Sequence, residues 1–164
     1  MSLYRPPAPP KSPYITKHGF EVLQAEEKEL WIKRRAVVTA LSAAAAEGDR
    51  SENAEYIYRK KELRGLDWRI HYLQKRIPNL IVVDQKPSNI NQVFFSATVT
   101  VEDEHEGIAT YRIVGPDEID HQPHNISMDS PVAKALFKKH LDDEILVKTP
   151  SGDTHVIITI ISYE

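Results

Sequence analysis

Two acidic residues at a predicted helical turn, Asp49 and Glu52, are the side chains in this sequence best suited to chemistry. One long helical pattern runs into Gly48, and a second begins near Ser51. The spacing of three residues puts both carboxylates on one side of the chain if the second helix starts between them. At the end of a helical hairpin they have no obvious partner, so this geometry predicts that they deliver negative charge to another molecule.

Two explanations fit acidic residues at this position. Carboxylates commonly cap a helix N-terminus and complement its dipole, and from spacing alone this use is the commoner one. The stretch 51–55 offers several candidate caps, however, which leaves one carboxylate in excess. Alternatively the two acids bind Mg²⁺, but two ligands fill only part of its octahedral oxygen shell. Such an incomplete site would make sense if another enzyme supplied the remaining ligands. The two acids would then recruit a second metal ion to that enzyme, for attack of water on a phosphate.

Two helices with heptad patterns must position these acids. Thr16 can cap the first helix, and Pro78 ends the second. Paired antiparallel about the turn, the two apolar seams face each other over a first helix of about 45 Å. The spacing therefore predicts a coiled-coil hairpin over 15–79, slim near its alanine-rich tip. Its seams are Phe20, Leu23, Glu27, Leu30, Arg34, Val37, Leu41 and Ala44, then Tyr56, Arg59, Leu63, Leu66, Ile70, Leu73 and Ile77.

A basic cluster follows the turn within about 20 Å at helical rise. It consists of Arg59, Lys60, Lys61 and Arg64. Lys60 and Lys61 are each close to Arg64 on the helix surface, which suits them to hold phosphates. The alternative is an ordinary solvated face, the commoner fate of a charge run on a coiled coil.

The pattern changes to β after Pro78. Strands are predicted at 80–83, 93–101, 108–114, 144–149 and 155–163, and Ser130-Pro131 can begin a short helix. The sequence thus predicts an α+β protein with a β-rich domain at 80–164. The first 14 residues contain five prolines and are expected to form a disordered arm.

Composition excludes several classes of function. With 21 basic and 24 acidic residues the formal net charge is −3, so any contact with nucleic acid must be local. The sequence contains no cysteine, no glycine-rich phosphate loop and no nucleophile motif, and His121 and His124 lack a third zinc ligand nearby. Neither a membrane span nor a secretory signal is predicted, so we expect a cytoplasmic protein without membrane contact.

Several separated blocks together resemble a known family. The stretch 48–56, followed by Lys60, Lys61 and Arg76, is similar to the tip of the bacterial Gre transcript-cleavage factors, especially the GreB branch. The blocks 93–97, 111–119 and 126–136 resemble the family's C-terminal part in the same order. Two features depart from the family pattern, namely the proline-rich arm and Ser96, where glycine is more familiar.

The resemblance implies a function at bacterial RNA polymerase. The hairpin would enter the secondary channel, and Asp49 and Glu52 would help to hold Mg²⁺ shared with the polymerase active site, with no cofactor of the protein's own. Cleavage of backtracked RNA would follow. The cluster Arg59, Lys60, Lys61 and Arg64 would hold the nascent RNA 3′ end.

The resemblance also implies that the C-terminal domain has a fold similar to FK506-binding proteins and docks at the channel rim. The docking residues would be Asp117, Glu118, Asp120, Ser130 and Pro131. We expect a monomer that is not itself an enzyme.

Two other functions compete with this one. A regulator could occupy the channel without stimulating cleavage, although retention of both Asp49 and Glu52 argues against it. The C-terminal domain could instead be a prolyl isomerase, but a similar fold does not by itself transfer function.

Overall fold

The computed structural model describes residues 6–48 and 53–164, and the chain divides into two compact units. One unit is Phe20–Leu80, and the other combines the chain up to Gly19 with Ile81–Glu164. The boundaries predicted from the sequence were 14/15 and 79/80. The first boundary lies later because residues just after the prolines form part of the C-terminal unit.

The helical unit is an antiparallel hairpin. Helix α1 is Lys17–Ala46 and helix α2 is Ala54–Arg76, followed by a 3₁₀ turn at Ile77–Asn79 that contains Pro78. Every predicted seam residue is buried or half-buried. Because burying one Leu or Ile side chain stabilises a fold by about 1.5 to 3 kcal/mol, this seam holds the hairpin together.

Contacts between the two helices confirm their antiparallel direction. Near the turn, the Asn53 amide donates to the Ala44 carbonyl at 2.7 Å. Farther along the helices, the Arg34 guanidinium binds Asp67 at 2.6 Å and that of Arg69 binds Glu26 at 2.7 Å. Positions later in α2 therefore pair with positions earlier in α1, as the seams predict.

The segment after the proline-rich arm is a strand, β1, at Tyr14–Thr16. It pairs in parallel with β2, Ile81–Val83, and the Ile81 N–H donates to the Pro13 carbonyl at 2.8 Å. The Ser12 N–H donates to the Asp129 carboxylate at 3.0 Å. The sequence predicted a disordered arm through Tyr14, but its last residues are hydrogen-bonded and Tyr14 lies in a strand. Proline lacks an N–H group, yet its carbonyl still accepts hydrogen bonds, and the neighbouring residues still donate.

Beside the β1–β2 pair, the C-terminal unit contains a five-stranded sheet and one short helix, which together with the hairpin confirms the α+β prediction. The elements are β3 Thr98–Asp103, β4 Ile108–Val114, β5 Asn125–Ser127, α3 Pro131–Leu136, β6 Glu144–Thr149 and β7 Gly152–Ser162. The sheet has the order β5-β4-β3-β7-β6, in which β4 and β5 are parallel and the other pairs are antiparallel. Core side chains from β3, β4, β6 and β7 pack with Ala133 and Leu136 of α3.

Strand β3 begins five residues later than the predicted strand 93–101. Ser96 has φ 70°, a left-handed conformation that glycine adopts more readily and that interrupts an extended strand. Val93 and Ala97, on either side of the interruption, are fully buried in the core.

Candidate functional site

Gly48 and Asn53 are the described residues on the two sides of the predicted acidic turn. Gly48 precedes Asp49 in sequence and has φ 144°, a conformation that favours glycine. Asn53 follows Glu52 and directly precedes α2. Asp49 and Glu52 themselves lie outside the described residues.

Asn53 caps α2. Its side-chain oxygen accepts a hydrogen bond from the Tyr56 N–H at 3.1 Å, while its amide donates to the Ala44 carbonyl at 2.7 Å. One side chain thus satisfies a free N–H at the start of α2 and a carbonyl near the end of α1. The N-cap role that the sequence left open between the acids and their neighbours belongs to Asn53.

The predicted RNA-binding residues divide into two groups. Lys60, Lys61 and Arg64 are exposed, and the Lys60 ammonium lies 5.9 Å from the centre of the Tyr56 ring. Arg59 instead belongs to the seam and is half-buried.

The Arg59 guanidinium is held by two acids of its own helix, Glu55 at 2.8 Å and Glu62 at 3.0 Å. These hydrogen bonds, led by the one to Glu55, raise the pKa of Arg59 above its ordinary value. Its charge is therefore neutralised locally, which corrects the grouping of Arg59 with the three exposed bases.

A groove of about 540 Å³ runs beside the exposed bases along α2. Asp67, in its wall, is bound by Arg34 of α1, and this hydrogen bond raises the pKa of Arg34. Trp68, another lining residue, is 73% exposed. Sequence reasoning missed Trp68, although its spacing of four from Arg64 could have placed it beside that residue. The lining residues are Lys60, Leu63, Arg64, Asp67, Trp68 and His71.

Glu118, one of the predicted docking residues, is only 2% exposed. Its carboxylate accepts hydrogen bonds from the Thr16 N–H at 3.0 Å, from the Thr16 hydroxyl and from the Gly115 N–H at 2.8 Å. The prediction that Glu118 contacts a partner is therefore wrong, because the carboxylate is enclosed and already bonded within the protein.

The other predicted docking residues differ in exposure. Asp120 and Pro131 are exposed, and Asp117 is half-buried. The Ser130 hydroxyl accepts from the Ala133 N–H at 3.2 Å, which confirms it as the N-cap of α3. Ile119, which sequence reasoning did not single out, is exposed between Glu118 and Asp120.

Within 6–48 and 53–164, no three His, Asp or Glu side chains are grouped as a metal site would require. Among these same residues, neither long helix has an apolar stretch sufficient to cross a bilayer.

Comparisons with known proteins give a consistent family. Residues 13–82 match the family "Transcription elongation factor, N-terminal", and residues 86–163 match "Transcription elongation factor, GreA/GreB, C-term". Transcription elongation factor GreB of Pseudomonas aeruginosa is 54% identical over 164 residues, covering 99% of this chain and 98% of that protein. GreB of Xanthomonas axonopodis pv. citri is 50% identical over 165 residues, with coverage of 99% and 98%. A solved GreA/GreB structure from Nitrosomonas europaea is 20% identical, covers 94% of this chain and 100% of that one, and has a TM-score of 0.43.

Proposed function

Because the chain belongs to the GreA/GreB family of transcription elongation factors, we propose that it inserts its hairpin into the secondary channel of bacterial RNA polymerase and stimulates cleavage of backtracked RNA there. It acts as an accessory factor. The chemical step takes place in the active site of the polymerase, where removal of the extruded RNA restores a usable 3′ end.

The single observation that carries the proposal is the capping of α2 by Asn53. Since Asn53 supplies the N-cap, Asp49 and Glu52 are not needed for that role. We therefore assign their carboxylates to a partner. Because they occupy the turn of a two-helix hairpin, these two acids could carry negative charge into the confined active site of the polymerase.

Mg²⁺ is the metal that this donor set fits, because it prefers carboxylate and water oxygens. In the complex, Mg²⁺ would activate a water molecule for attack on the phosphodiester. Asp49 and Glu52 would each supply a carboxylate oxygen, and the polymerase and water would supply the other ligands. The role of this chain is to hold and orient, and it needs no metal site of its own.

Lys60, Lys61 and Arg64 are the residues we assign to the extruded RNA. They are exposed, and none of the three makes an ion pair within the described part of the chain. Arg59 is left out of this assignment because Glu55 and Glu62 bind its guanidinium. For docking at the channel rim we retain Asp117, Asp120 and Pro131, while Glu118 and Ser130 hold the surrounding backbone.

The test uses a stalled, backtracked polymerase complex that carries 5′-labelled RNA, with Mg²⁺ present. The wild-type protein should shorten the RNA. Asp49→Asn and Glu52→Gln should each slow cleavage by about 100-fold or more, because each removes one anionic metal ligand. The matched control is Glu47→Ala, which removes an exposed acid next to Gly48 and should cleave at the wild-type rate.

Binding is measured in parallel by competition with the wild-type protein for the polymerase. Both tip variants should compete normally. If the wild-type protein binds but leaves the RNA intact, the protein is a channel-occupying regulator and the cleavage proposal fails. If it does not bind, both functions at the polymerase are excluded.

A further inference from the structure

One face of α2 carries an unusual set of side chains. Six positions separated by alternating steps of four and three lie along this face, which we call the outer stripe. Every one of them is exposed, whereas the seam lies on roughly the opposite side of the helix. The outer stripe contains no acidic residue. Its members are Ile57, Lys61, Arg64, Trp68, His71 and Lys75.

The cations of the hairpin differ in whether they are paired. Arg34, Arg59 and Arg69 each bind a carboxylate at 3.0 Å or less. In contrast, Lys61, Arg64 and Lys75 of the outer stripe make no ion pair among residues 6–48 and 53–164. The sequence thus supplies acids to the cations beside the seam and none to those of the stripe. An uncompensated row of positive charge attracts an anionic partner.

Trp68 lies in the middle of this row. Its side chain is 73% exposed, and in the described part of the chain it makes no ring contact with another aromatic residue. Large apolar rings are normally buried for at least most of their surface, so packing does not explain this indole. It presents a flat ring to solvent between the charges of Arg64 and Lys75.

The groove beside Trp68 combines these properties. Arg64, Trp68 and His71 line it together with Lys60, Leu63 and Asp67. Because Arg34 of α1 already pairs with the Asp67 carboxylate, the unpaired charges of the groove, among the described residues, are those of Lys60 and Arg64. Single-stranded nucleic acids are bound by this combination, in which aromatic rings stack on bases and basic side chains contact phosphates. An acidic peptide would use the cations but would leave the ring without a planar partner.

We propose that the outer stripe binds single-stranded RNA, with Trp68 stacking on a base while Lys61 and Arg64 contact the phosphates on its tip side. The source of that RNA, the segment extruded from the polymerase, rests on the proposed function. The new element is a stacking residue farther from the turn than the predicted basic cluster. It extends the RNA path along α2 beyond Arg64.

Fluorescence of a single tryptophan tests stacking directly. In a Trp31→Phe background, Trp68 is the only indole, since the chain contains two tryptophans. Titration with a 12-nucleotide oligouridine should quench its emission in a saturable way. The abasic oligomer of the same length carries the same phosphates and should leave the emission nearly unchanged.

Affinity measurements separate stacking from charge. Trp68→Leu should weaken oligouridine binding about tenfold, because loss of one stacked base is a large effect, while Trp68→Phe should retain most of the affinity. Neither variant should change the slope of log affinity against log salt concentration. Arg64→Ala should make that slope shallower by the amount that corresponds to the loss of about one phosphate contact. Trp31→Leu on α1 is the matched control and should bind as the wild type does.

Three outcomes would overturn the proposal. These are equal quenching by the abasic oligomer, an unchanged affinity in Trp68→Leu, and an equal loss in Trp31→Leu. If Trp68→Leu spares RNA binding but weakens polymerase binding, the stripe is a protein contact instead. RNA binding is measured here without polymerase, so its failure is separate from failure of the cleavage assay.

Discussion

Glu118 and Thr16 are joined by two hydrogen bonds across 102 positions of sequence. The Thr16 N–H and hydroxyl both donate to the Glu118 carboxylate, and the Thr16 hydroxyl also accepts from the Gly19 N–H at 3.1 Å. The same threonine therefore caps α1 and attaches β1 to the loop after β4. Gly115 adds a third donor to the carboxylate at 2.8 Å.

Removal of this carboxylate should destabilise the C-terminal unit. Glu118→Ala leaves the buried N–H groups of Thr16 and Gly115 without their acceptor, so we expect a loss of about 3 kcal/mol in the free energy of unfolding. Glu118→Gln should be intermediate, because its amide nitrogen cannot accept from these donors. Urea denaturation followed by circular dichroism measures both losses.

Asp120→Ala is the control for Glu118, since it removes a nearby exposed acid. It should change stability by no more than about 0.5 kcal/mol. Equal stability of Glu118→Ala and the wild type would contradict the bonding described for this carboxylate.

A second prediction concerns the end of the hairpin. Asn53→Ala removes both the cap of α2 and the bond to the Ala44 carbonyl, which should cost about 1 to 2 kcal/mol. Because Glu52 precedes Asn53 directly, cleavage should fall more than polymerase binding does. The cleavage rate and competition binding of the same variant measure this difference.

Asn53→Ser serves as the partial rescue. Serine can still cap α2 but has no amide to reach Ala44, so stability should be intermediate between alanine and asparagine. Full wild-type cleavage in Asn53→Ala would show that the bridge from Asn53 to Ala44 has no part in placing the tip acids.

Local periodicity was enough to predict the hairpin. Residues such as Leu23, Val37, Ile70 and Leu73 recur at steps of three and four, and all four are buried. The Ser130 cap could also be predicted from local sequence, because its hydroxyl needs only the Ala133 N–H three residues later. Helical spacing and capping act over one or two turns, so they can be read directly from the sequence.

Properties that depend on distant residues could not be predicted in this way. Glu118 looks like a surface acid until Thr16 is brought against it by the fold. Arg59 looks like its basic neighbours, but its position on the seam brings it to Glu55 and Glu62. The late start of β3 depends on the left-handed backbone of Ser96, which alternation of apolar residues does not reveal.

Arg59 and Arg64 should differ in their effect on RNA binding. Arg64 is exposed and unpaired within the described residues, whereas the charge of Arg59 is already bound by two acids. Arg64→Ala should therefore lower the salt dependence of oligouridine binding, while Arg59→Ala should leave it nearly unchanged. Binding titrations at 50, 100 and 200 mM salt give the slopes, and equal reductions in both variants would contradict the difference between these residues.

Tyr163 fastens the end of the chain to the segment before β3. Its hydroxyl donates to the Gln92 carbonyl and accepts from the Phe94 N–H at 2.9 Å. Burial raises the pKa of this hydroxyl further above neutral pH, where a tyrosine is protonated and can donate even without the shift. Tyr163→Phe should lower the free energy of unfolding by about 1 to 2 kcal/mol.

The control for Tyr163 is Tyr58→Phe. Tyr58 is exposed on α2, and within the described part its hydroxyl has no hydrogen-bond partner. Urea denaturation should show no change for Tyr58→Phe. An equal loss in the two variants would mean that the destabilisation comes from removing any tyrosine hydroxyl.

Asp103 should make stability depend on pH in the acid range. One of its carboxylate oxygens accepts from the Gly107 N–H and the His105 N–H, each at 2.8 Å, in the turn between β3 and β4. These bonds, led by the one from Gly107, lower the pKa of Asp103 below its ordinary value of 3.8. Because the folded pKa is the lower one, the contribution is complete above 3.8 and is lost as the pH falls through the folded pKa.

Asp103→Asn isolates this charge, since the amide oxygen keeps an acceptor for the same N–H groups. At pH 7 the wild type should be the more stable protein, and its advantage should shrink steadily below pH 4. Urea denaturation of both proteins at pH 7, 5, 3.5 and 2.5 gives the difference directly. A difference that stays constant from pH 7 to pH 2.5 would show that the turn depends on the shape of the side chain and not on its charge.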